Sequence, residues 1–128
     1  MVSDIEVVQQ CLESVAEVDV DISPTVYAVF SANMPESDQH VSFMDERMKG
    51  RMLDQVYQLL LGETDREYRE FEARTHRGYG ANESLYRGLL TAVKETVRDT
   101  LGQDWKTEYE AAWDRSIENI VNEFSQVH

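Results

Sequence analysis

Apolar residues recur along this chain at spacings of three and four, and no segment alternates convincingly at two. That is the period of an amphipathic α-helix, not of a half-buried strand. Ser3 and Glu6 have capping-box spacing and open a helix with Ile5, Val8, Leu12 and Val15 on one face, near Cys11. Ser23-Pro24 is a second start, an N-cap with proline at the first helical position, leading into Val26, Tyr27, Val29 and Phe30. Met34-Pro35 ends that helix, because the residue before a proline disfavours α geometry. The polar stretch from Pro35 to Val41 reads as a short turn of helix and a loop.

A third long helix is expected from about Phe43 to Leu61, with Met44, Met48, Met52, Leu53, Val56 and Leu60 at helical spacing and Gly62 as its stop. Thr64 and Glu67 form another capping-box pair, starting a helix with Tyr68, Phe71 and Ala73 that reaches His76. Glu83–Leu101 follows, with Leu85, Leu89, Leu90, Val93 and Val97 on its apolar face and Gly102 closing it. The last helix spans about Asp104–Ser125 and carries Tyr109, Ala112, Trp113, Ile117, Ile120, Val121 and Phe124. The expected fold is all-α: six main helices plus a short one near Pro35, in a single domain over residues 1–128.

Composition narrows the partners. With 128 residues and 41% hydrophobic content the chain can bury a core without staples. It has no apolar run of about 18 residues, so no membrane span is expected. Met1-Val2-Ser3-Asp4 lacks a signal pattern, so the expected location is cytoplasmic. The single cysteine, Cys11, fits a reducing compartment and reads as a buried small hydrophobe. A net charge of −13 argues against a nucleic-acid surface, which needs clustered Lys and Arg. The acidic residues are dispersed, as on a solvated surface; the sharper reading is a docking face for a basic reductase.

The most informative stretch is His76-Arg77-Gly78-Tyr79-Gly80-Ala81-Asn82-Glu83-Ser84-Leu85-Tyr86. A histidine closes one helix, a glycine follows four residues later, and an N-cap asparagine and an aromatic open the next. That order resembles the proximal-histidine corner of bacterial globins. Val26 to Phe30 followed by Pro35 looks like their second helix and turn, and Asp45 to Leu53 like the start of their distal helix. Leu101-Gly102, Trp105 and Ala112-Trp113 resemble the end of the penultimate helix and the body of the last. The chain as a whole is most similar to single-domain bacterial globins related to the globin domain of flavohaemoglobins. Helical periodicity alone allows an up-down bundle equally with a globin sandwich.

The resemblance implies haem b (iron protoporphyrin IX), with His76 as the only proximal ligand to the iron. Thr75 or a backbone carbonyl one turn earlier would accept the hydrogen bond that orients such an imidazole. Tyr27 aligns with the ligand-facing tyrosine of the family, and Phe43, in preference to Val41, with the aromatic wedged on the haem face. On the distal helix two registers compete: Lys49 with Leu53 one turn on, which keeps Gly50 near the haem, or Met48 with Met52. The first is preferred. Leu89 joins the cofactor-binding set, and Tyr86 matches in spacing a tyrosine that, with a glutamate on the last helix, hydrogen-bonds to the proximal histidine; Glu123 is the candidate for that glutamate. The cluster Arg47, Lys49 and Arg51 would suit the haem propionates. Two positions depart from the pattern: Glu72 stands where leucine is usual, leaving the packing to Phe71, and Glu83 near the usual proline.

The function this implies is reversible binding of a diatomic gas (oxygen, nitric oxide or carbon monoxide). Nitric oxide dioxygenase or peroxidase-like activity would need an external reductase, and a homodimer is left open. The alternative is a globin-like sensory or regulatory module, with or without haem, acting through a separate partner protein.

Overall fold

The computed structural model describes residues 3–18, 20–78 and 82–126, and every regular element among them is helical. In chain order these are α1 (Asp4–Glu17), α2 (Ser23–Asn33), α3 (Asp38–Val41), α4 (Glu46–Leu60), α5 (Arg66–Gly78), α6 (Glu83–Leu101) and α7 (Thr107–Ser125). Turns of 3-10 helix precede α3 at Pro35–Ser37 and join α6 to α7 at Gly102–Asp104.

Local chemistry explains the ends, in some places differently from the expectation. Ser3 Oγ accepts from the Glu6 amide, so the first capping signal acts as read. The second start is shifted: Ile22 is the N-cap of α2, and Asp21 accepts from the Ser23 amide, so Ser23 is the first residue inside the helix. Helix α4 starts at Glu46, not Phe43, because Asp45 caps it by accepting from the Met48 amide at 2.8 Å. Asp65, not Thr64, accepts from the Tyr68 amide at the start of α5, and the Thr64 carbonyl instead takes Arg69 Nη1. A carboxylate next to a hydroxyl wins the cap because it accepts more strongly and adds favourable charge at the helix N-terminus. At Gly102 φ is +55°, a conformation that costs a side-chain-bearing residue and lets the chain turn from α6 into the 3-10 corner.

Packing is built on α2 against α6, α1 against α7, and α6 against α7. Helix α4 touches α1, α2 and α7, while α5 packs extensively only on α7. The core is Trp113 ringed by Val8, Val26, Leu53, Leu60, Leu90, Val93, Val97 and Val121, all within 1% of full burial. Each such side chain contributes roughly 1.5–3 kcal/mol of transfer free energy. Cys11 belongs to this core, at 1% exposure. Ile5, expected on the same face, is exposed. Two polar ties fix helix pairs: Arg115 grips Asp4 with two nitrogens, joining α7 to α1, and Lys94 of α6 holds Glu110 and Asp114 of α7. Among the described residues, no helix is long and apolar enough to cross a membrane.

Candidate functional site

Ala73 turns into α7 and packs on Phe124, which sets the rotation of α5. His76, three residues on, lies beside that same face. Its Nδ1 is 2.7 Å from the backbone carbonyl of Glu72, one turn earlier. A carbonyl only accepts, so Nδ1 carries a proton, and in the neutral ring Nε2 keeps its lone pair. Among the described residues no hydrogen-bond partner reaches Nε2. Thr75 is not the orienting group: its hydroxyl donates back to the Phe71 carbonyl. The Glu72 carboxylate lies 4.0 Å from the same Nδ1, so one residue presents both a carbonyl and a negative charge to the ring.

Tyr86 completes this corner. Asn82 caps α6 by accepting from the Leu85 amide, which places Tyr86 in the first turn facing α5 and α7. Its ring meets His76 edge-on at 6.0 Å between centroids and stacks on Phe124 at 4.4 Å. Burial, with the charges of Glu72 and Glu123, pushes its hydroxyl up to about 12. Neither Tyr86 nor Glu123 makes the expected hydrogen bond to His76 among the described residues: Tyr86 meets the imidazole only through its ring, and Glu123 accepts from Arg69 Nε at 2.7 Å. A guanidinium from α5 supplies that carboxylate with a charge-assisted donor. A cavity of about 20 Å³, lined in part by Ala73, Tyr86 and Phe124, lies between these groups.

A second cluster forms where α2 meets α4. Tyr27, 9% exposed, donates from its hydroxyl to the Lys49 carbonyl at 2.8 Å. The Lys49 ammonium lies 5.5 Å from the centre of the same ring. Burial raises the Tyr27 hydroxyl well above its ordinary range. Leu53, one turn after Lys49, is fully buried, whereas Met48 is 46% exposed and Met52 sits at the core margin. The face of α4 turned to Tyr27 is therefore that of Lys49 and Leu53. Leu53 and Leu89 share one core with Tyr27, and Tyr86 packs against it. Apolar side chains thus connect the two clusters.

Phe43 lies at the surface. It is 74% exposed, because α4 begins only at Glu46 and Phe43 stays in the preceding loop; Val41 is the residue that packs on the core there. Phe71 is also exposed, at 62%: five residues before His76, it lies on another side of α5. Tyr79, Gly80 and Ala81 of the informative stretch lie outside the described residues, as does His128. Among the described residues no three His, Cys, Asp or Glu side chains come together as a metal site. The helical period did not reveal the Glu72 carboxylate beside Nδ1 or the Arg69–Glu123 pair. The spacing of Glu72 and His76 by four, and the excess of arginines on α5, were the signals available. Compared with known proteins, the chain matches no family model, no curated protein and no solved structure.

Proposed function

We propose that this chain is a globin-like protein that binds haem b through His76 and holds a diatomic gas at the open position of the iron. The observation that carries the reading is the 2.7 Å approach of His76 Nδ1 to the Glu72 carbonyl. Ligating histidines are oriented by such a bond, which fixes the tautomer and leaves Nε2 to the metal. A bound haem would supply an iron that takes the gas molecule.

The other side chains have separate tasks. The Tyr86 edge limits rotation of the imidazole. Tyr27 and Lys49 bring a hydroxyl and an ammonium to the α2–α4 contact, where a polar ligand would find a donor. Arg47, Lys49 and Arg51 have no carboxylate partner among the described residues, and such cations suit two propionates. Exposed Phe43 and Met48 are apolar surface that a planar hydrophobic group would cover. The limited packing of α5, chiefly on α7, also supports a group lodged between α5 and α4.

One observation favours the second reading, a helical regulatory module of the same shape without haem. The space beside Tyr86 is only about 20 Å³, room for one water. Haemin titration of the purified protein decides between them. The expected result is one haem per chain with ferric, ferrous and carbon-monoxide spectra of a histidine-ligated haem, lost in His76→Ala. Absence of stoichiometric binding, or the same spectra in His76→Ala, overturns the haem reading.

A further inference from the structure

A cleft of about 310 Å³ opens at the other end of α6, between α1 and the corner that leads into α7. Leu101 lines it, roughly 22 Å along the helix from Tyr86 at 1.5 Å per residue, so it is separate from the His76 corner. We propose that this cleft binds a small zwitterion of the α-amino-acid class.

The charges on its walls make the case. Asp104 and Lys106 both line the cleft, one on the 3-10 turn and one just before α7. They carry opposite charges, and neither has an ion-pair partner among the described residues. In a chain of net charge −13, an unpaired ammonium facing a cleft is a rare asset for an anion. The Lys106 ammonium lies 5.7 Å from the ring centre of Tyr109, another wall residue, which holds the charge at the wall by cation–π attraction. A ligand carboxylate would meet Lys106, and a ligand ammonium would meet Asp104. Gln10 of α1 and Gln103 of the 3-10 turn also line the cleft, and their carboxamides supply neutral donors and acceptors.

The floor selects against further charge. Cys11 lines the cleft at 1% exposure, and burial raises its thiol above the ordinary value, so it stays neutral. The wholly buried indole N–H of Trp113 lies beside that thiol and partly offsets the effect of burial. Size sets the ligand's length. At about 310 Å³ the cleft stands at the small end of the roughly 300–1,000 Å³ range of ligand pockets, which suits a ligand no larger than a mid-sized amino acid.

L-Glutamine is the probe, titrated into the ¹⁵N-labelled full chain. Saturable shift changes are expected at the amides of Gln10, Gln103, Lys106 and Tyr109, and not at His76. N-acetyl-L-glutamine amide, which lacks both charges, should leave those amides unmoved. Asp104→Asn and Lys106→Gln, both at exposed positions and so compatible with folding, should each weaken binding roughly tenfold, the loss of one charge-assisted hydrogen bond. No saturable change with L-glutamine overturns the proposal, as does equal binding of the uncharged analogue or unchanged affinity in either variant.

Discussion

His76 and Glu72 stand one helical turn apart, and the Glu72 carbonyl oxygen lies 2.7 Å from the imidazole Nδ1. The bond is made by backbone, so it persists whatever side chain occupies position 72. It dictates the Nδ1–H tautomer of the neutral ring, the less common one in free histidine. Long-range ¹H–¹⁵N spectra of the neutral protein should show a pyridine-type Nε2 and a pyrrole-type Nδ1 for His76. Glu72→Gln should keep that pattern. A protonated Nε2 in the neutral ring would contradict the hydrogen bond.

Tyr27 and Lys49 form the matching tie on the other cluster. Tyr27→Phe removes one buried hydroxyl donor at 2.8 Å from a helix carbonyl that also serves its own helix. A loss of about 1 kcal/mol is expected in urea or guanidinium unfolding, with the denaturant slope unchanged. If haem and oxygen bind as proposed, the same hydroxyl must leave Lys49 to meet the ligand. Tyr27→Phe would then speed oxygen dissociation roughly tenfold, and carbon monoxide dissociation less. Equal oxygen off-rates in the two proteins would leave Tyr27 as a purely structural tie.

Tyr86 makes an alkaline prediction. Burial, followed by the charges of Glu72 and Glu123, lifts its hydroxyl to about 12, and burial lifts Tyr57 to about 12 as well. A raised folded-state value means that the unfolded chain, near 10, releases its proton first. The stability these groups contribute is therefore complete below pH 10 and is lost as pH rises from 10 through 12. No described residue hydrogen-bonds to the Tyr86 hydroxyl, so Tyr86→Phe should change stability little at pH 7 and flatten part of the loss above pH 10. Unfolding midpoints between pH 8 and 11.5 check this, and parallel curves for the two proteins would count against it.

Much of this architecture was legible because burial follows helical period so closely. Leu85, Leu89, Leu90, Val93 and Val97 are the apolar stripe of α6, and all five are buried. The stops at Gly62 and Gly102 hold because both adopt positive φ. Ends set by competing polar groups were harder to see. Asp65 and Asp45 cap α5 and α4 although Thr64 and the run from Phe43 read equally well, since the winner depends on which side chain the loop brings round. Around His76 the sequence located the imidazole and Tyr86 but not their partners. Glu123 went to Arg69 because that arginine lies on the α5 face turned to α7, a fact of helix rotation that spacing within one helix does not reveal. The α6–α7 cleft was illegible for the same reason: Gln10, Asp104 and Lys106 meet only through tertiary packing.

Lys94 shows an asymmetry that mutation can read. Its side chain is 9% exposed and lies 2.6 Å from both Glu110 and Asp114, whose side chains are 40% and 57% exposed. Burial alone would lower the ammonium's affinity for its proton, but the hydrogen bonds and charges of Asp114 and Glu110 together raise it. Removing the lysine as Lys94→Met leaves two carboxylates still in water, so a cost of about 1 kcal/mol or less is expected. Removing both carboxylate charges, as Glu110→Gln with Asp114→Asn, leaves a buried ammonium without a counter-charge and should cost more, about 2–3 kcal/mol. The lysine's contribution disappears as pH rises beyond 10.5, the direction of its raised value. Equal destabilisation by the two changes at pH 7 would mean that the ammonium is better solvated than its burial indicates.

Gly88 of α6 packs closely against Met34 at the end of α2. A Cβ built on Gly88 would lie 2.0 Å from Met34 Sδ and 3.3 Å from Phe30 Cε1. Glycine at this position is thus favoured by packing, not by backbone conformation, and in an exposed helix interior alanine would be the better residue. Gly88→Ala must push the methionine side chain aside, at a cost of about 1–3 kcal/mol for an overpacked contact. Methionine is flexible, so the displacement is absorbed mainly by its sulfur end. Shortening it as Met34→Ala opens room for the new methyl while removing its own packing. The double variant should therefore be more stable than the sum of the two single losses, by roughly 0.5–2 kcal/mol of favourable coupling. Thermal or denaturant unfolding of the four proteins in the cycle measures that coupling, and strict additivity would show that α2 and α6 relax apart without the methionine having to move.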